Sequence, residues 1–178
     1  MEIKRIDSES ELWFAERLYL HSFPENERRD VEDWIRLTHN EPAFHNNIIL
    51  EDSKNVGLIT FWNFADFVYV EHFAIDNSIR GKGLGGLAIE MLLKKVEKPV
   101  VLEVEPPVGD IEKRRIAFYE RHGFILCDKK YFQPAYDESK QGMELKIMYS
   151  GIDDIEEMYD EIVKSLYEKV YRTKYPLS

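Results

Sequence analysis

The segment Arg80-Gly81-Lys82-Gly83-Leu84-Gly85-Gly86 carries the densest chemistry in the chain. It follows a run rich in aromatic and β-branched residues, Phe67–Ile75. It opens a stretch in which Leu84, Leu87, Ala88, Met91 and Leu92 recur at helical spacing. Glycines let a backbone approach a ligand closely and take up positive φ. At a helix start several amide N–H groups then converge on one point, and the helix dipole adds partial positive charge. That is an anion site, most naturally for phosphate, with Arg80 and Lys82 adding charge. A P-loop is not met, because Gly86 is followed by Leu87 and no Lys-Ser/Thr pair. The dinucleotide pattern occurs literally as Gly81-x-Gly83-x-x-Gly86, with Glu103 and Glu105 about 20 residues further on. A nucleotide site and a ligand-free glycine turn therefore both stay open at this point.

Acids and phenols lie on the neighbouring elements. In a strand side chains alternate, so Tyr69, Glu71, Phe73 and Ile75 are expected on one face, with His72 on the other. A carboxylate among aromatics, Glu71 is a candidate proton acceptor, with a cation anchor or an ion pair as the plainer alternatives. Glu103 and Glu105 are expected together on one face of the next strand. They suit base work, capture of a positive amine, or a solvated edge. Tyr119 is a candidate acid, since a phenol near pKa 10 is protonated at neutral pH. Tyr131 and Tyr136, with Gln133 and Pro134, fall in a polar stretch from Tyr131 to Gly142 that reads as a loop, either one overhanging a substrate or an ordinary connection. The five histidines show no metal spacing, so no metal is expected. No basic group is placed to activate Cys127, which reads as a buried thiol.

These groups need elements to hold them. Residues 2–7 read as a strand, and Ser8 to about His21 as a helix with Ser8 or Ser10 as its cap. Pro24 interrupts, and a short helix follows at Val31–Leu37. Two apolar runs, Asn47–Glu51 and Val56–Asn63, flank the turn residues Asp52-Ser53-Lys54-Asn55 and predict a hairpin. Val100–Val104 reads as a strand, Ile111–His122 as a helix stopped by Gly123, and Phe124–Lys129 and Met143–Tyr149 as strands. From Asp153 to Tyr171 a clean amphipathic stripe runs through Ile155, Tyr159, Ile162, Leu166 and Val170, a helix for the sheet or for a partner chain, as in a homodimer. Early hairpins and a central strand–loop–helix–strand crossover give a mixed α/β or α+β class.

With 178 residues one domain is the expectation. The net charge of −10 makes phosphate-backbone binding to nucleic acid and docking on anionic membrane unexpected. The single cysteine cannot form an internal disulfide and fits a reducing, cytoplasmic setting. No apolar run approaches the roughly 18 residues of a membrane span, and the N-terminal residues lack a signal-peptide stretch.

Two motifs in the right order resemble one known family. Arg80-x-x-Gly83-x-Gly85 after the Phe67–Ile75 strand is similar to the acetyl-CoA-binding segment of the GCN5-related N-acetyltransferases (GNAT). Tyr119-Glu120-x-x-Gly123-Phe124 resembles the same family's helix-to-strand signature, and the break at Pro24 with Glu27 and Arg28 resembles its substrate-side loop. The resemblance covers about residues 1–150. It implies a central, mostly antiparallel mixed sheet flanked by helices, to which residues 151–178 add an extra helix. It implies acetyl-CoA (coenzyme A) held by the backbone of Arg80, Gly81, Lys82, Gly83, Leu84, Gly85 and Gly86, with Phe73 and Ile75 pairing with the pantetheine arm. It implies direct acetyl transfer to a small-molecule or peptide amine, with Glu71 as base through water and Tyr119 as acid; Glu103, Glu105, Tyr131 and Tyr136, read from their own placement, are the candidates around the acceptor. Many members carry Asn seven residues before the tyrosine; here that place is Glu112, with Arg114 or Arg115 as the neighbours that would take over its grip. A non-catalytic acyl-CoA-binding module and a nucleotide-dependent enzyme are the competing readings.

Overall fold

Ser8 starts the first helix as its sequence requires. Its extended backbone and its hydroxyl, accepting from the amide of Glu11 at 3.3 Å, cap α1 (Glu9–Ser22), while Glu9 and Glu11 complement the helix dipole. The computed structural model describes residues 1–79 and 81–176, so the expectation placed on Arg80 lies outside the described residues. Among the described residues α1 is preceded by β1 (Glu2–Arg5) and followed by α2 (Val31–Asn40), β2 (Phe44–Glu51) and β3 (Lys54–Asn63). Asp52 and Ser53 both have positive φ, the geometry that matches a two-residue hairpin to strand twist. Next come β4 (Val68–Ile75), α3 (Leu84–Val96), β5 (Val100–Val104) and α4 (Asp110–Glu120). The chain closes with β6 (Ile125–Leu126), β7 (Tyr131–Gln133), β8 (Met143–Ser150) and α5 (Ile155–Ser165). No helix among the described residues is long and apolar enough to cross a membrane.

The sheet order is β1-β2-β3-β4-β5-β8-β6, with β7 added to β8. Every pairing is antiparallel except β4–β5, which the α3 crossover makes parallel. Strand alternation sorts the apolar residues into two cores. Ile48, Leu58, Val101 and Ile147 join α1, α2 and α5 on one face; Ile49, Ile59, Leu102 and Met148 join α3 and α4 on the other. The stripe of α5 is buried within this chain, with Tyr159, Ile162, Val163 and Leu166 packed in the cluster of Leu18 and Trp34.

Three expectations change. First, β4 carries a bulge: His72 pairs with Thr60 and Val70 with Phe61, leaving Glu71 as the extra residue. Glu71 therefore stays on the α1–α2 side with Tyr69 and His72, while Phe73 and Ile75 pack towards α3 and α4. Second, the stretch after Tyr131 is not all loop. Tyr131, Phe132 and Gln133 pair with Leu145, Glu144 and Met143 of β8. Third, the last helix breaks at Ser165 into a π-helical turn, Leu166–Val170, closed by Tyr171 N–H to the Leu166 carbonyl at 2.9 Å.

Candidate active site

The parallel pairing of β4 and β5 covers three residues only, Val68–Val70 against Val100–Leu102. Beyond them the strands part, and a cavity of about 850 Å³ occupies the gap. One end is the glycine loop at the start of α3. Gly81 and Gly83 have φ of +86° and +74°, and a Cβ on either would meet nothing within 4 Å, so the demand for glycine there is conformational. A Cβ on Gly85 would face Phe118, Ile75 and Phe73 at 3.6–3.7 Å, in ordinary contact. Gly86 is needed for packing, since a Cβ would come within 2.6 Å of the His122 ring. Leu84 is buried and lines the cavity, whereas Lys82 is exposed and lies outside its lining.

Helix α4 supplies the middle of the cavity. Tyr119 lines it, held edge-on by Phe118 and Phe124. Burial pushes its phenol up to about 12, with Arg115 opposing and Glu105 reinforcing the rise, so it keeps its proton at neutral pH. Arg114 and Arg115 line the same wall; Glu112, at the expected Asn position, folds back on Gly109.

The inner end holds the carboxylates, and each has its own partners. The Glu71 side chain is fully buried. The Arg29 guanidinium lies 3.1 Å from its Oε1, and the Trp62 indole donates to its Oε2 at 2.7 Å. Arg29 is itself 2% exposed, lies over the Tyr136 ring at 4.8 Å and donates to the Val170 carbonyl at 2.6 Å. Glu103 accepts from the phenols of Tyr69 at 2.8 Å, Tyr171 at 2.7 Å and Tyr131, and from the Gln133 amide at 3.2 Å. Burial lifts its carboxyl to about 7, against the lowering effect of the phenol hydrogen bonds. Glu105 lies past the end of β5 and pairs with Arg115 of α4, so the expected Glu103–Glu105 pair divides between different partners. Glu27, on the turn after Pro24, is raised first by burial and then by Glu105, with Arg115 opposing.

Of the expected tyrosines, Tyr136 lines the cavity, half-buried against Arg29, His72 and Tyr171, while Tyr131 lies behind the lining and donates to Glu103. The loop carrying Tyr136 is pinned by Lys140, whose Nζ sits 2.7 Å from Asp30 and 2.9 Å from Asp137. His72 is kept neutral by burial and lies 3.2 Å from the Glu27 carbonyl, holding the turn. Arg29, Trp62 and Tyr171 escaped sequence reasoning. Tyr171 carried one signal: a polar-tipped aromatic at the tail of a buried stripe. No cluster of metal-ligating side chains occurs among the described residues, and Cys127 is buried and unpaired.

Comparison with known proteins fits this geometry. The family model described as the acetyltransferase (GNAT) family matches residues 7–124. A Bacillus subtilis (strain 168) protein named "Putative acetyltransferase YjbC" is 30% identical over 149 residues, 81% of this chain and 77% of that protein. A solved structure described as "Putative acetyltransferase from GNAT family" from Bacteroides thetaiotaomicron is 40% identical, covers 98% of this chain and 100% of its own, and superposes with a TM-score of 0.94. An aminoglycoside 6'-N-acetyltransferase solved with coenzyme A shares the fold at 14% identity and a TM-score of 0.61, over 84% of this chain and 96% of that one. The parted strands, the glycine loop opening α3 and the family match together make this chain a member of the acetyltransferase (GNAT) family.

Proposed function

We propose that this acetyltransferase moves an acetyl group from acetyl-CoA directly to a primary amine, on a small molecule or a peptide. The observation that carries the reading is the continuity of one cavity. It runs from the α3 N-terminus, past the Tyr119 phenol, to the half-buried Glu103 carboxyl, which desolvation raises to about 7. The residues fit the cosubstrate. Amides of Gly81, Gly83, Leu84 and Gly85 at the start of a 13-residue helix suit a pyrophosphate, and the β4 edge at Phe73 and Ile75 faces the gap where a pantetheine arm would lie. Acetyl-CoA supplies the activated acyl group.

The chain's own groups then divide the proton work. Glu103 takes the proton of the incoming ammonium, which frees the nitrogen lone pair for the acyl carbon; a base near the working pH is the efficient choice. Glu71, the sequence-based candidate for this role, is already ion-paired with Arg29 and serves as a fixed negative wall. As the C–S bond breaks, Tyr119 gives its proton to the leaving sulfur, and the second proton of the acylated nitrogen returns the phenolate to phenol, so that the one proton released overall is the one held by Glu103. A thiolate is a good leaving group, so Tyr119→Phe is expected to lower kcat by roughly 10²-fold, the low end for general acid catalysis, with acetyl-CoA binding unchanged.

Thermal melting with candidate cofactors tests the cosubstrate. Coenzyme A at a hundred times its Kd adds about 2.7 kcal/mol to native-state stability, read as a raised Tm, while NAD and ATP leave the Tm in place. Stabilisation by NAD or ATP but not by coenzyme A would overturn the reading. Screening amines for coenzyme A release identifies the acceptor.

A further inference from the structure

The segment after α5 does more than cover a hydrophobic face. Three of its polar groups bond to the residues around the inner end of the cavity. Tyr167 donates to the Phe132 carbonyl at 2.6 Å, securing β7, which carries Tyr131 and Gln133. The Val170 carbonyl accepts from Arg29, the partner of Glu71. Tyr171 donates to Glu103, accepts from Gln133 at 2.7 Å and packs on the Tyr136 ring. The π-helical turn at Leu166–Val170 presents Val170 and Tyr171 in succession, one to each carboxylate assembly. Such turns are rare and cost regular helix geometry. Packing alone would be satisfied by Phe or Leu at Tyr171.

We propose that the segment Leu166–Tyr171 backs the acceptor end of the cavity from behind its lining, and that Tyr171 is a positioning residue holding the Glu103 carboxylate in its proton-accepting geometry. The proposal rests on the reading of Glu103 as the proton acceptor. Glu103 is faced by Tyr69 from β4, Tyr131 and Gln133 from β7, and Tyr171, with Glu71 and its Arg29 partner nearby and the apolar Ile147 opposite on β8. Among the described residues, the only donor that the terminal segment contributes to this set is the Tyr171 hydroxyl.

The test is Tyr171→Phe, which keeps the ring and removes the hydroxyl. A donor to a charged carboxylate favours ionisation, so its loss raises the titration of Glu103, by about one pH unit for one hydrogen bond. The side-chain carbons of ¹³C-labelled glutamate, with Glu103 identified by its absence in Glu103→Gln, read that shift by NMR without substrate. The rising limb of kcat/KM should move up equally: about fivefold lower at pH 7, restored at pH 9, with KM for acetyl-CoA unchanged. Unmoved titration and an unmoved limb overturn the proposal, as does a loss of activity equal at every pH. A shifted NMR titration with an unmoved limb supports the Tyr171 contact and overturns Glu103 as proton acceptor.

Discussion

Glu103→Gln is expected to lower kcat/KM for the amine about 10³-fold, within the span of general base catalysis. Glutamine keeps the shape, and its carbonyl can accept from Tyr69 and Tyr171 while its amide donates to the Tyr131 hydroxyl, but it takes no proton. Acetyl-CoA binding, which depends on the other end of the cavity, should be unchanged. The same substitution has a stability signature of opposite sense. The Glu103 carboxyl sits at about 7 in the fold against an ordinary 4.5. Between these values the native state holds a proton that the unfolded chain has lost. Wild-type stability therefore falls as pH rises from 4.5 to 7 and is level above. Glu103→Gln lacks this slope, so at pH 8 it should melt at or above the wild-type temperature while being catalytically poor. Thermal melts at pH 5 and pH 8 check the sign.

Arg29→Met is expected to be the most destabilising single change in the site, by about 3–5 kcal/mol, because it leaves the Glu71 charge buried without its partner. Both side chains are essentially closed to solvent, at 2% and 0% exposure, so water cannot replace the guanidinium. The substitution also frees the Val170 carbonyl and loosens the terminal segment. Denaturant unfolding reads the loss. The double variant Arg29→Met/Glu71→Gln should recover much of it, because a neutral amide can remain bonded to Trp62 without a buried charge. A double variant as unstable as the single one would mean that the loss comes from packing and not from charge.

Much of the architecture was legible because periodicity and caps are local. Ser8, the glycines at the start of α3 and the stripe of α5 each announce their element. The glycine loop and Tyr119 were legible for the same reason, as short motifs with fixed spacing. The faces of His72, Phe73 and Ile75 were not. A single bulge residue inverts the alternation beyond it, and the register shift is set by pairing with β3. Nor were the partners of the carboxylates. Arg29 reaches Glu71 from 42 positions away, and Tyr171 reaches Glu103 across 68, contacts that only the closed fold brings together. The charge of the site changed accordingly. Of three carboxylates that looked like a surplus for a cationic acceptor, Arg29 neutralises one and Arg115 another, which leaves Glu103 as the group able to exchange a proton.

That division between Glu103 and Glu71 is what the pH dependence of kcat/KM tests most directly, measured with saturating acetyl-CoA on the wild type, Glu103→Gln and Glu71→Gln. A rising limb near pH 7 that survives in Glu71→Gln and vanishes in Glu103→Gln is the expected result. A limb that survives in Glu103→Gln and vanishes in Glu71→Gln would contradict the assignment.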